Sequence, residues 1–373
     1  MTGWNGVQLE GLVLHSGRLT LRPWQPSDAG AVREVLADER MHRYLVLPHP
    51  YTAQDAIDFV TDHSQAGREA GTRLDCAVAE NVGGRVVGAA TLQLPVPGRV
   101  GGEIGYWIAV PSWGRGYATE ATRTLAAFGF AQGLARIQIS CAPGNVASAG
   151  AALRAGFSYE SIARAVRGGH DGRALDAAVF ARTATDPQQA VSSALPRLRQ
   201  ISDGVVTLRP VQPQDWSLVL AEATNEVALA WGFGGAPMTE AVAVTYSERA
   251  ELTWLIGGQA SIAICDAGTG AGAGLLTLRR NGPPEVVAIG YGVLPEFRGR
   301  AFTTRALRLV SDWAFSQTPI VRLELGCKVA NLASARSAEN AGFVRDARYA
   351  SRLKNPDGSY SDEIGFGKVR PGG

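Results

Sequence analysis

Lysine is almost absent from this chain of 373 residues, and arginine carries most of its positive charge. The overall balance is only +2, so no electrostatic case exists for a nucleic-acid or polyphosphate surface. Long apolar runs are missing too. None reaches the roughly 20 residues that span a bilayer, which argues against a membrane partner. The opening MTGWNGVQLEG has neither a basic start nor an apolar core, so a signal peptide is not expected and the cytoplasm is the expected location. Cys76, Cys141, Cys265 and Cys327 are scattered without any CxxC spacing and read as buried free thiols. The five histidines all lie in the first half, none at ligand spacing, and no metal is expected.

What is present is a duplication. GRLTLRPWQPSD, from Gly17, returns as GVVTLRPVQPQD from Gly204, and EIGYWIAVP returns as AIGYGVLP from Ala288 to Pro295. Asn145, Ser148, Gly156 and Phe157 return as Asn331, Ser334, Gly342 and Phe343. A repeat this long means two copies of a whole domain rather than a solenoid, and each is large enough to fold around its own core. Thr183 to Gln200 lacks periodicity and holds two prolines. The expected layout is a domain at 1–183, a linker at 184–200 and a second domain at 201–373. In each copy strands cluster before and behind central helices, which predicts an α/β fold: a mixed, mostly antiparallel twisted sheet with helices on both faces. One helical stretch is expected at 53–70 and its counterpart at 239–256.

The stretch from Glu103 to Phe157 organises the first copy. Glu103 to Val110 is an apolar run rich in β-formers, long enough for one buried strand. PSWGRGYATEA then places Gly114 and Gly116 at a strand-to-helix turn. Glycines there let backbone N–H groups approach a ligand, and the new helix aims its positive end at the same spot. Ala135 to Pro143 reads as the next strand, and NVASAGAALRAGF as a short helix closed by Gly156. Asn145 is a preferred N-cap and needs no other role.

Four motifs in this order, Glu103 to Trp107, Trp113 to Ala121, Asn145 with Ser148, and Gly156-Phe157, resemble the cofactor half of the GNAT acetyltransferases, especially their RimJ/RimL-type branch. The resemblance implies that acetyl-CoA is the cofactor. It gives the pyrophosphate to the backbone of Gly114, Arg115, Gly116, Tyr117 and Ala118 behind Trp113, with Arg115 free to add a charged contact. It also places Asn145 on the pantetheine arm and Ser148 near the sulfur. Glu103 becomes the candidate general base for the attacking amine, and the oxyanion donor is expected among the N–H groups of Ile108, Ala109 and Val110. Many branches place a tyrosine acid where this chain has Ala152, so Ser148 or water would protonate the thiolate. Tyr106 and Tyr159 read as core or strand residues. His42, Tyr44 and His49 lie where the family builds its acceptor pocket.

The second copy departs from the pattern. Ala288 stands in the place of Glu103, Ala301 in that of Gly116 and Thr303 in that of Ala118. Arg298 restores a basic residue, and Gly299, Arg300, Asn331 and Ser334 remain as candidate coenzyme contacts. This copy is expected to be degenerate or weakly active, unless Glu285 or Asp215 stands in for the missing carboxylate. The implied function is an acetyl-CoA-dependent N-acetyltransferase acting on a primary amine: the α-amine of a peptide or protein, or a peptide natural product. Alternatives are a small-molecule or antibiotic acetyltransferase, a mycothiol-synthase-like enzyme, or a non-catalytic coenzyme A sensor. The chain is expected to be a monomer or homodimer.

Overall fold

The computed structural model describes residues 9–94, 101–169, 172–187, 195–231, 238–355 and 357–372. The chain divides into two compact units, residues 1–192 and 193–373. The expected linker lies partly outside the described residues, at 188–194. Of its remainder, Leu195 and Leu198 are buried in the core of the second unit, and the Trp254 indole donates to the Leu195 carbonyl (3.2 Å). The second unit therefore begins before residue 201.

The first unit runs β1 (Leu14–His15), β2 (Leu19–Arg22), α1 (Ala29–Leu36), α2 (Glu39–His42), α3 (Ala53–Asp58), α4 (Ser64–Glu69), β3 (Arg73–Glu80), β4 (Val86–Gln93), β5 (Gly101–Ile108), α5 (Tyr117–Ala131), β6 (Arg136–Cys141), α6 (Val146–Arg154), β7 (Ser158–Gly168) and β8 (Ala174–Thr183). The single helix expected at 53–70 is interrupted by a π turn at Phe59–His63. Thr52 starts it with a capping box closed by Asp55, which satisfies two end groups reciprocally.

The second unit repeats this order as β9 (Ile201–Ser202), β10 (Val206–Pro210), α7 (Trp216–Thr224), α8 (Glu226–Trp231), α9 (Glu240–Leu255), β11 (Gln259–Asp266), β12 (Gly272–Arg280), β13 (Val286–Val293), α10 (Phe302–Gln317), β14 (Arg322–Lys328), α11 (Leu332–Asn340), β15 (Val344–Lys354) and β16 (Tyr360–Val369). Among the described residues each unit has one eight-stranded sheet, antiparallel except for one parallel pair, β5–β6 or β13–β14.

Alternation sorts the side chains of β5 between two layers. Trp107 packs with Trp24, Val32 and Phe59 on the side of α1 and α3. Ile104, Tyr106 and Ile108 face the opposite way, toward α5 and α6. Both faces of the sheet are thus covered by helices.

Candidate active site

The parallel pair positions the site. β5 bonds to β6 only through Gly101, Gly102 and Glu103, which lie opposite Arg136, Ile137 and Gln138. Both strands continue, to Ile108 and Cys141, but they part after Glu103. The second unit does the same: pairing covers Val286 to Ala288 and stops. A wedge-shaped gap therefore opens beside the C-terminal half of β5 and of β13.

At the far end of β5 the chain turns into α5. Gly114 and Gly116 hold positive φ (74° and 80°), a region where a side chain is strained. Gly116 is the N-cap of α5 and offers no side-chain cap, so the first N–H groups of a 15-residue helix stay available for an anion. Arg18 braces the turn, donating to the Arg115 carbonyl (2.9 Å) and pairing with Glu120 (2.6 Å). Arg115 is not free as expected: its guanidinium lies 3.7 Å from Glu80, which also pairs with Arg85 and takes a bond from the Tyr117 hydroxyl. What Tyr117 and Ala118 can offer a phosphate is backbone. Trp113 has a different use. Its indole N–H donates to the Ile108 carbonyl (2.6 Å), pinning the turn to the end of β5. Arg298 does the same job for Val293 (3.0 Å), so an indole and a guanidinium are interchangeable there as long N–H donors.

Glu103 is half-buried at the start of the gap, and the Gln138 amide donates to it at 3.3 Å. A neutral amide does not cancel the carboxylate charge as an arginine would. Gly105, two residues on, shares its face and is exposed, with nothing within 4 Å of where a Cβ would sit. An open floor thus separates Glu103 from the Trp107 ring, which stacks on Trp24 with centroids 6.2 Å apart.

Among the three candidate oxyanion donors, the Ala109 N–H is committed to the Val87 carbonyl (2.8 Å). Alternation then turns the Ile108 N–H to the other side of the strand, toward the gap. Val110 begins a short 3-10 turn.

On the far wall, Asn145 caps α6 by accepting from the Ser148 N–H (3.2 Å), which leaves its Nδ2 for a ligand. The Ser148 hydroxyl lies 3.0 Å from the Tyr106 hydroxyl, which also reaches the Ser148 carbonyl (2.9 Å). Burial holds the Tyr106 phenol well above its ordinary range, and burial pushes the nearby Cys141 thiol up to about 11. Tyr106 lies in β5 as the sequence reading expected, and its hydroxyl adds a contact to Ser148 that the reading did not foresee. The signal was available: Tyr291 keeps the same place in the second copy and lies 2.8 Å from Ser334. Ala152 is fully buried core, and Tyr159 packs on Phe180.

Of the acceptor-pocket candidates, Tyr44 reaches the site, donating to the Gly144 carbonyl beside Asn145 (2.8 Å). His42 and His49 pack edge-to-face (5.1 Å), with His42 bonded to the Leu36 carbonyl. His42 ends α2 and His49 lies on the exposed loop before α3.

In the second unit Ala301 takes the Gly116 role at φ 59°, again without a side-chain cap. Gly299 keeps φ 72° and Arg300 pairs with Asp266 (2.9 Å), as Arg115 does with Glu80. Asn331 caps α11 through the Ser334 N–H (3.1 Å). Neither expected stand-in lines the cavity of the second unit: Asp215 is held by two bonds from Arg209 (2.6 and 2.8 Å), and Glu285, half-buried, precedes β13. Gln138 of the first unit is Glu324 in the second, opposite Ala288.

The family model for an acetyltransferase (GNAT) domain matches the chain twice, over residues 18–158 and 206–344. An uncharacterized N-acetyltransferase, p20, of Bacillus licheniformis is 29% identical over 156 residues, covering 40% of this chain and 85% of that protein. The probable N-acetyltransferase YjcK of Bacillus subtilis (strain 168) is 37% identical over 73 residues, 20% of this chain and 40% of that protein. Among solved structures, the RimL ribosomal L7/L12 α-N-protein acetyltransferase in complex with coenzyme A is 20% identical with a TM-score of 0.42, covering 46% of this chain and 98% of that one.

Proposed function

The chain belongs to the GNAT acetyltransferase family, and from that premise we propose that its first unit carries acetyl from acetyl-CoA to a primary amine, with Glu103 as general base. Acetyl-CoA is the family's donor, and the uncapped start of α5 with the Gly114–Gly116 turn suits its pyrophosphate. Glu103 takes the proton that the attacking nitrogen sheds as the C–N bond forms. The Ile108 N–H faces the carbonyl oxygen while it carries negative charge, a contribution of roughly 3 kcal/mol. When the C–S bond breaks, Ser148 gives its hydroxyl proton to the sulfur and is reprotonated through Tyr106.

The observation that carries this reading is the parting of β5 and β6 directly after Glu103. One gap then has a carboxylate at its head, an N–H along its edge and a hydroxyl pair on its far wall. Within primary amines, the RimJ/RimL-type turn favours the α-amine of a peptide, and the aromatic floor of Trp107 and Trp24 suits a first side chain laid beside it. Replacing Glu103 by Gln should lower kcat/KM for acetylation of peptide N-termini by about 10²- to 10⁴-fold, read by thiol release. Undiminished turnover would remove Glu103 from the reaction.

A further inference from the structure

The sheet face that carries Glu103 in the first unit is built differently in the second. Register pairs the two copies strand by strand. Trp107 on β5 becomes Gly292 on β13, Ser140 on β6 becomes Gly326 on β14, and Val179 on β8 becomes Gly365 on β16. Three side chains that floor the first unit are gone. Above this bare floor lies a cavity of about 830 Å³, toward the upper end for a small-molecule site. It runs from the α10 turn (Arg298, Gly299, Ala301) past Ser334 to Glu222, Glu324 and Glu363.

Glu222 is the telling residue. It comes from α7, at the position that Val35 holds on α1, where Val35 packs into the apolar layer beside Trp107. In the second unit the Glu222 carboxylate lies directly on Gly292, where any Cβ would overlap it. Its charged neighbour is Arg298, whose guanidinium is spent on the Val293 carbonyl and the Asn225 side chain (3.0 Å each). Burial raises the Glu222 pKa, Arg298 opposes it, and among the described residues no hydrogen bond contributes. A half-buried carboxylate without a direct partner costs stability and gains no packing. Such groups cluster where a ligand supplies the missing partner.

We propose that this cavity is a second acyl-transfer site, in which Glu222 receives the proton of a cationic primary amine and the α10 turn holds acyl-CoA. The inference rests on the family's chemistry but not on the role given to Glu103. Glu222 first takes one proton from the ammonium and frees the nitrogen lone pair. The nitrogen attacks the thioester carbon, the C–S bond breaks, the thiolate takes a proton from the Tyr291–Ser334 pair, and the nitrogen's second proton passes through water back to that pair. Glu363, which lies on Gly326 and pairs with Arg352 (2.9 Å), adds a second carboxylate to the same cavity. Arg352 holds Glu363, and Arg279, Arg336 and Lys328 line the same cavity, so Glu222 is the carboxylate that meets the amine, and a slender aliphatic acceptor suits the bare floor better than one with an aromatic body. This replaces the expectation that the second copy is degenerate.

The test uses the full chain with acetyl-CoA and 1,5-diaminopentane, read by thiol release and by native mass spectrometry. Two coenzymes per chain are expected. Diamine turnover should survive Glu103→Gln, and adding Glu222→Gln should lower its kcat/KM at least 100-fold. Gly292→Ala, which displaces the carboxylate by a methyl, should lower it as well, with the CD spectrum of each variant unchanged. A single bound coenzyme, no diamine turnover, or turnover indifferent to Glu222→Gln would overturn the proposal. Loss of peptide acetylation in Glu103→Gln with no diamine activity anywhere would leave the first unit's assignment standing while this one fails. The converse pattern would sink the first and keep this one.

Discussion

The first unit packs aromatic rings on the sheet face that carries Glu103, whereas the second strips the same face to glycine and lays carboxylates on it. Trp24, Val35 and Trp107 form one apolar layer in the first copy; Val211, Glu222 and Gly292 stand at those places in the second. The changes are coupled. A tryptophan on β13 would exclude the carboxylate, and a valine on α7 would leave a hole above the glycine. Meanwhile the coenzyme half is nearly unchanged: the parting strands, the left-handed N-cap, the Asn–Ser cap and the tyrosine–serine pair occur in both. Between the copies the strand–turn–helix half is kept and the opposite sheet face is rebuilt.

The largest effect should come from undoing that rebuilding. Gly292→Trp refills the floor of the second unit and forces Glu222 aside. Diamine turnover should fall at least 100-fold, while peptide acetylation by the first unit should stay within about twofold, the energetic equivalent of under 1 kcal/mol. Equal losses in both activities would mean that the two sites are not separate.

A middle-sized effect tests what the two copies share. Trp113→Ala leaves the Ile108 carbonyl without its indole partner, which should cost about 1–2 kcal/mol of first-unit stability by calorimetry. Trp113→Arg, copying Arg298, should restore most of it. If arginine does no better than alanine, the N–H donor is not what the position requires.

Much of this was legible in the sequence because it is local. The strand, the glycine turn, the helix starts and the duplication all lie within short windows whose periodicity and turn chemistry are self-contained. The acceptor face is not local. That Ala288 sits opposite Glu324, or that Glu222 lies on Gly292, depends on register across strands and on a helix some seventy residues upstream. Sequence reasoning at Ala288 therefore stopped at the missing carboxylate, and the residues nominated to replace it were ones near motifs. Asp215 is fully engaged by Arg209. Tyr106 lies in a strand as expected, but its hydroxyl contact is not local either: α6 brings Ser148 to it.

A smaller effect concerns the cost of Glu222 itself. Burial pushes its carboxyl above the ordinary range. The folded chain then holds a proton that the unfolded chain has released, so stability is intact below the usual glutamate value of about 4.3 and is lost as pH rises through the folded one. Glu222→Gln should therefore raise the Tm of the second unit at pH 8 and leave it unchanged at pH 4. A gain that persists at pH 4 would trace to packing and not to charge.

The smallest effect lies in the coenzyme turn, the one place in that half where the copies differ in backbone demand. Ala301 holds φ 59° where Gly116 holds 80°. A left-handed residue with a Cβ costs roughly 1–2 kcal/mol, and a glycine there gives back about 0.4–1 kcal/mol by loosening the unfolded chain. Ala301→Gly should thus stabilise the second unit by about 0.5–1 kcal/mol, and Gly116→Ala should cost the first a similar amount. Space is not the obstacle in the first unit, since the nearest atom to a Cβ at Gly116 is Arg18 Nη2 at 3.6 Å, an ordinary contact. If Gly116→Ala instead abolishes coenzyme binding, the methyl is meeting the phosphate and not the backbone, and the second unit, which carries that methyl already, must hold its coenzyme in another way.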